Sequence, residues 1–294
     1  MDPVPQHQVG QEPEGRRMTF LDFCRAHGVI IDALPPIGVW KRYKTTDKPG
    51  HRNGAVKFMG DHGFCQNHAT MQDVSSWRSE GESAVAHQEI QRIAQKAARE
   101  LREGYAKAAQ TAAGMLAQCR RERHAYFAAK GFPEEIVNVL RTDAGPVAVI
   151  PMFVDGAIVG CQKITEEGEK KFLFGQRSGG AEFVFSAKGP HVLCEGYATA
   201  LSARQALTNI KRAYTLHVCF SAGNMKKVAA CLPGGIVLAD NDKSGTGENT
   251  AREIGWPYWM SDVVGEDFND AHRRLGLFAI GQQLIKVMRE AVAA

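Results

Sequence analysis

Five carboxylates stand where metal-assisted chemistry would need them. Glu195 follows the apolar run Val192-Leu193-Cys194 and precedes Gly196; Asp240 follows Ile236-Val237-Leu238-Ala239, and Asp242 lies two residues further on. Runs this short and apolar predict buried strands, and Gly196 permits a tight exit into a helix. If extended backbone continues through Asp242, positions i and i+2 project to one side and set two carboxylates over one spot. A further acidic pair, Asp267 and Asp270, sits in Glu266-Asp267-Phe268-Asn269-Asp270, ahead of the last helical stretch. Hard oxygen ligands without thiolate or imidazole partners suit Mg²⁺ or Mn²⁺. Such ions stabilise charge on a phosphoryl group and lower the pKa of an attacking hydroxyl, so phosphoryl transfer is the reaction class indicated. Each acid alone also has a structural use: Glu195 could cap the next helix and Asp240 could hold a turn with Asn241. Their recurrence at strand ends points to the metal.

The elements around these acids must hold them together. From His191 onward, apolar strand-like runs alternate with helical stretches, which predicts a parallel sheet covered by helices. Ligands of such sheets bind at the carboxyl ends of the strands. Ahead of this unit, Val147–Ile150, Ala157–Gly160, Phe172–Phe174 and Phe183–Phe185 read as further strands. Residues 82–127 are rich in Ala, Glu, Arg and Lys, with Ile93, Ala97, Leu101, Tyr105, Ala109, Ala112, Met115 and Cys119 three or four apart. That spacing predicts one apolar helical stripe. Unbroken, such a helix would reach roughly 70 Å, and Gly104 and Gly114 are where it would bend or break.

Between Trp40 and Trp77 the chain breaks into short apolar pieces at Gly50, Gly54, Gly60 and Gly63, as small antiparallel hairpins require. Lys41, Arg42, Lys44, Lys48, Arg52 and Lys57 face only Asp47 there, with Trp40, Tyr43 and Phe58 interleaved. Cations beside aromatic rings suit a nucleic-acid backbone and its stacked bases; lysines on a hairpin edge also serve to block strand addition. A short helix capped by Thr19 precedes this region. Residues 1–17, with Pro3, Pro5 and Pro13 and no apolar periodicity, read as a disordered tail.

At 294 residues the chain has room for two compact units, and 44% hydrophobic with 23% charged residues describes a globular protein. Thirty-six Lys and Arg against 32 Asp and Glu leave a net charge of +4, so nucleic-acid binding must rest on local clusters. The seven cysteines, odd in number and never paired as Cys-x-x-Cys, argue against a disulfide framework and a zinc ribbon and for a reducing compartment. No run nears the roughly 20 apolar residues of a membrane span, and no export signal precedes the first helix, so a cytoplasmic location, in a bacterial host cell, and no membrane partner are expected.

Read together, Glu195-Gly196-Tyr197, Ser221-Ala222-Gly223-Asn224, Asp240-Asn241-Asp242 and Asp267-Phe268-Asn269-Asp270 resemble the successive motifs of the Toprim domain in plasmid- and phage-type DNA primases. His124-Ala125-Tyr126-Phe127-Ala128-Ala129-Lys130-Gly131-Phe132-Pro133-Glu134-Glu135 is similar to the segment that opens the catalytic core of bacterial-type primases. Ile150-Pro151-Met152-Phe153 and Lys170-Lys171-Phe172-Leu173-Phe174 resemble its next strands. The resemblance covers about residues 120–275. It implies an α/β fold: a Toprim unit with a Rossmann-like parallel sheet, preceded by a small α+β N-terminal domain and a long helical connector. The expected division is a tail at 1–17, a nucleic-acid-binding domain at 18–80, a connector at 81–128, the first part of a primase core at 129–190, and the Toprim unit with a C-terminal helix at 191–294.

The resemblance implies an enzyme that joins ribonucleoside triphosphates into short RNA primers on single-stranded DNA during phage or plasmid replication. Glu195 matches a general base or metal ligand, Asp240 and Asp242 a metal-binding pair, and Asp267 and Asp270 a later acidic motif. Lys170, Lys171 and Arg177 would hold template or triphosphate, and Lys41, Arg42, Lys44 and Arg52 the nucleic acid. Thr199 stands where the family often has an acid. His51, His62, Cys65 and His68 are the only zinc candidates, and zinc is not expected. Lys243-Ser244-Gly245-Thr246-Gly247 reads either as a phosphate contact or as a flexible turn. No G-x-x-x-x-G-K-[ST] occurs, so a helicase would be a separate chain. Ile280, Leu284, Val287 and Met288 could dock such a partner or pack on their own sheet. The alternatives are a Toprim-type nuclease, whose metal site aims water at a phosphodiester, and a non-catalytic single-strand-binding replication accessory.

Overall fold

The computed structural model describes residues 18–71, 73–79, 84–186 and 188–293; the tail expected at 1–17 and the start of the connector at 81–83 lie outside them. Among the described residues the protein is a mixed α/β fold of eight helices and three β-sheets. It divides into two units, one up to Leu101 and one from Arg102 onward. The boundaries expected at 128/129 and 190/191 fall inside the second unit. Among the described residues, no helix is long and apolar enough to cross a membrane.

The first unit opens with α1 (Phe20–Ala26), whose Thr19 side chain accepts the Asp22 N–H, as a serine- or threonine-type cap should. Four antiparallel strands follow in sequence order: β1 (Lys41–Tyr43), β2 (Gly54–Phe58), β3 (His62–Asn67) and β4 (Ser75–Arg78). Phe20 and Cys24 of α1 pack on Val56, Phe58 and Cys65, with the Phe20 ring 4.9 Å from that of Phe58. This close approach is possible because residue 63 is glycine: a Cβ there would lie 2.3 Å from the Phe20 ring.

Helix α2 (Ala84–Gln118) is unbroken, and the division between the units falls inside it. Neither Gly104 nor Gly114 interrupts it, contrary to the expected break. Both stand in open space, so each costs the helix only its propensity, about 1 kcal/mol. In its later part Ala108 and Ala112 are buried, whereas Leu101 is 55% exposed. The helix also stops nine residues before the expected end. Residues 120–122 form β5 (Arg120–Glu122) because β6 (Val137–Thr142), distant in sequence, offers them a ladder, and a separate helix α3 (Ala125–Ala129) follows.

In the second unit β7 (Gly145–Val154), β8 (Ala157–Thr165) and β9 (Lys170–Phe172) complete an antiparallel sheet in the order β5-β6-β7-β8-β9, with β9 at its edge. The remaining elements run β10 (Phe183–Ser186), β11 (His191–Cys194), α4 (Tyr197–Asn209), β12 (Thr215–Val218), α5 (Ala222–Ala229), β13 (Gly235–Ala239), α6 (Thr246–Ile254), β14 (Tyr258–Met260), α7 (Phe268–Leu275) and α8 (Leu277–Ala293). Their sheet has the order β10-β12-β11-β13-β14, parallel except for β10 against β12. Val192, Cys194, Ile236 and Leu238 meet α4, α7 and α8 on one face, and Leu193, Val237 and Ala239 meet α5 and α6 on the other. Two buried faces explain why these strands are apolar throughout and do not alternate. Ile280, Leu284 and Val287 are spent in this core.

Because a Cβ at residue 63 would lie 2.3 Å from the buried Phe20 ring, Gly63→Ala is expected to cost about 1–3 kcal/mol. Denaturant unfolding that finds wild-type stability would contradict this packing.

Candidate active site

The order β12-β11-β13 creates a crevice by topology. From β11 the chain crosses to β12 on one side, then returns to place β13 on the other, so the connections leaving β11 and β13 diverge. Such a switch point is where open α/β sheets bind ligands. Cys194 pairs with Leu238, so Glu195 and Asp240 emerge from adjacent strands at this point.

Their surroundings raise the proton affinity of both. Burial lifts the Glu195 carboxyl above its ordinary range, opposed by the Ala222 N–H at the start of α5 and by the Lys170 charge. Asp240 is pushed up to about 7 by burial and by the nearby Asp267 and Glu195, with Lys170 again opposing. Asp240 Oδ1 is buried and has no hydrogen-bond partner among the described residues. An orphaned carboxylate oxygen among like charges costs free energy unless a cation or proton meets it.

The other acids have partners. The backbone leaves the strand at Ala239, so Asp242 does not extend over Asp240 as the i, i+2 reading required. Its carboxylate turns onto the start of α6, accepting N–H groups from Ser244 (2.7 Å), Thr246 (3.3 Å) and Gly247 (3.0 Å) besides the Ser244 hydroxyl. Those bonds hold Asp242 at about 2. They also consume the donors that the Lys243–Gly247 turn would offer a phosphate. Gly247 is required here, since a Cβ would lie 2.0 Å from the Asp240 carbonyl oxygen. Asp267 caps α7 by accepting the Asp270 N–H at 2.8 Å, and Asp270 pairs with Lys130 at 3.3 Å. Burial works against the Lys130 charge, but Asp267 and Asp270 outweigh it and raise its pKa.

The five acids therefore do not form one ligand set. Among the described residues, no three His, Cys, Asp or Glu side chains are grouped to hold an ion by themselves. Glu195 and Asp240, with Asp242 and Asp267 within electrostatic reach, fit a divalent cation through the unpartnered Asp240 oxygen; Asp270 is paired with Lys130. Of the zinc candidates, Cys65 is buried in the first unit's core and His62 pairs with Asp61.

Lys170 lies on β9, its Nζ 5.8 Å from the Tyr126 ring centre. Lys171 pairs with Glu169 at 2.8 Å, and Arg177 donates to the Gly179 carbonyl at 3.2 Å. Several site residues escaped sequence reading. Buried Asn224 donates to Ala181 and Cys219 carbonyls and accepts the Gly180 N–H, tying the approach to β10 to the start of α5. Its presence in Ser221-Ala222-Gly223-Asn224 was the available signal, as was Lys130 in the segment before Phe132. Thr199 is buried on α4.

In the first unit, register assigns the basic and aromatic side chains to faces. Tyr43, Val56, Cys65 and Trp77 point to the core, whereas Arg42, Lys57, Phe64 and Arg78 alternate onto the open face. Trp40, 48% exposed, joins them, its ring 6.3 Å from Phe64. No strand residue on that face is acidic. Lys41, Lys44 and Arg52 are also exposed; Lys41 pairs with Val56 and so takes the opposite side of β1 from Arg42.

No protein-family model matches the sequence, and no curated protein is similar to it. Among solved structures, the chain is distantly similar to a DNA primase domain from Pseudomonas aeruginosa, with 16% identity and a TM-score of 0.34. The overlap covers 50% of this chain and 55% of that one, so the chain spans about half of its length.

Asp240 has a signature of its own in metal-free protein. Its folded pKa of about 7 lies above the ordinary 3.8, so between those values the folded state keeps a proton that the unfolded chain has lost. Stability therefore falls as pH rises through this window. Asp240→Asn is expected to be more stable than wild type at pH 8 with chelator, by a few kcal/mol, with the gain gone near pH 4. Denaturant titrations across that range check it; a gain independent of pH would count against a buried charge.

Proposed function

We propose that the protein is a DNA primase of the Toprim type, making short RNA primers on single-stranded DNA by divalent-metal-dependent nucleotidyl transfer. The observation that carries this reading is the unpartnered, buried Asp240 oxygen beside Glu195 at the switch point of a parallel sheet. The motif series from Glu195 to Asp270 supports it from the sequence side.

In this reading Glu195 and Asp240 would hold Mg²⁺ or Mn²⁺, with Asp242 and Asp267 adding negative charge beside them. A cation so held supplies charge neutralisation for a triphosphate. The attacking 3′ hydroxyl would be activated beside Glu195. Lys170 meets the triphosphate from the other sheet, with Lys171 and Arg177 lining the approach. Asp242 and Asp267 keep α6 and α7 anchored beside the reacting groups. The open face of the first unit, with Trp40, Arg42, Lys57 and Phe64, holds the single strand through phosphate contacts and stacking. Such an enzyme would serve phage or plasmid replication in the bacterial cytoplasm, beside a separate helicase.

Incubation with labelled ribonucleotides, single-stranded templates and Mg²⁺ or Mn²⁺ is expected to yield short RNA with wild type. Asp240→Ala should reduce that product at least 100-fold while leaving template binding intact. Equal synthesis by both chains would reject the mechanism. Strand cleavage without nucleotides would point to the Toprim nuclease, and binding without any product to the accessory protein.

For the first unit, Arg42→Ala is expected to reduce the slope of log affinity against log salt by about 0.7, one phosphate's share for a single strand. Fluorescence anisotropy over a salt series reads this directly.

A further inference from the structure

Two exposed phenylalanines stand beside the candidate site without a role in it. Phe172, at the end of edge strand β9, is 45% exposed, and Phe174, two residues on, is fully exposed. The turn that carries Phe174 is built to keep it outside. Gln176 Oε1 accepts both the Leu173 N–H (3.2 Å) and the Cys161 N–H (3.0 Å), while its amide reaches the Met152 sulfur. Leu173 packs inward against the cluster formed by Ala112, Val149 and Cys161. With Leu173 and Gln176 both tied to the sheet, the intervening Phe174 ring projects into solvent from an anchored turn.

Two contacts connect this edge to the backbone of Glu195. The Phe172 ring packs edge-on against Phe220, with centroids 6.3 Å apart, and the Phe220 N–H donates to the Glu195 carbonyl at 2.9 Å. Phe220 itself has φ of +64°, a left-handed conformation costly for an aromatic residue, and is held there by burial. Lys170, on the same side of β9 as Phe172, completes a sequence of cation and aromatic rings leading away from Glu195. Aromatic faces beside cations on an exposed edge are the combination that grips unpaired bases: the ring takes the base and the ammonium takes the phosphate.

We propose that Phe172 and Phe174 form a stacking platform for bases of a single-stranded nucleic acid, positioning the strand against the Glu195–Asp240 crevice. Phe174 is a positioning residue: it orients the strand and takes no part in bond making. This places a ligand at the site assigned above and so rests on that reading, but its test needs neither catalysis nor metal.

Full-length protein is titrated, with chelator and without nucleotides, against a fluorescent single-stranded DNA and against the same length of abasic backbone. Phe174→Ala is expected to weaken binding of the base-bearing strand about 5-fold or more and to leave abasic binding and the salt slope unchanged. Phe174→Tyr should restore affinity, because a phenol ring stacks as well. Lys170→Ala should weaken both ligands and flatten the salt slope. In a second measurement, 5-iodouracil in the strand is photocrosslinked to wild type, and the adduct is expected in the peptide containing Phe172 and Phe174. Unchanged affinity of Phe174→Ala for the base-bearing strand, equal loss for both ligands, or adducts confined to other peptides would overturn the platform. A chain that makes no primer yet passes these tests would lose its assignment as a primase and keep the stacking site.

Discussion

Like charges gathered at one crevice set the terms for the second unit. Parallel strands deliver Glu195 and Asp240 side by side, and Asp242 and Asp267 act on them from the neighbouring loops. Taken from water, such a group repels itself. The fold offsets this with donors at the starts of helices: α5 offers an N–H to Glu195, α6 surrounds Asp242, and α7 is capped by Asp267. Lys170 and Lys130 add positive charge from elements outside the parallel sheet. What is left uncompensated is concentrated on one atom, Asp240 Oδ1.

Much of the surrounding structure follows from keeping those helix starts in place. The first turn of α6 touches the end of β13 so closely that only glycine fits at 247. Asn224 fastens the start of α5 to the backbone near β10, and the left-handed Phe220 bends the chain between β12 and α5 so that its N–H meets Glu195. The antiparallel sheet contributes through its edge, because an edge strand alone can present Lys170 on one side and exposed rings beyond it.

The first unit uses the same physics with a different product. Its α1 covers one face of a four-stranded sheet, and strand alternation then leaves a second face carrying Trp40, Arg42, Lys57 and Phe64. A basic cluster was legible in the sequence, but its membership was not. Lys41 and Arg42 are neighbours in the chain and point to opposite sides, which only the register reveals. Phe64, on β3, joins the face by pairing with Lys57 of β2.

Local pattern determined a good deal of this protein: the Thr19 cap, the β11 and β13 runs, the acids that end them, and the alternation that makes a two-sided sheet. Those features are encoded within a few residues, where apolar periodicity and capping chemistry act. Competition between distant segments decided the rest. The helix ends at Gln118 because β6 pairs with residues 120–122, whereas Asp242 bends away through donors close by in the chain, two from Ser244 and two from the first turn of α6. Asp270 is bound by Lys130, 140 positions earlier. Which carboxylate keeps a free oxygen depends on how the folded backbone aims each one, and so it became visible only once the chain had folded.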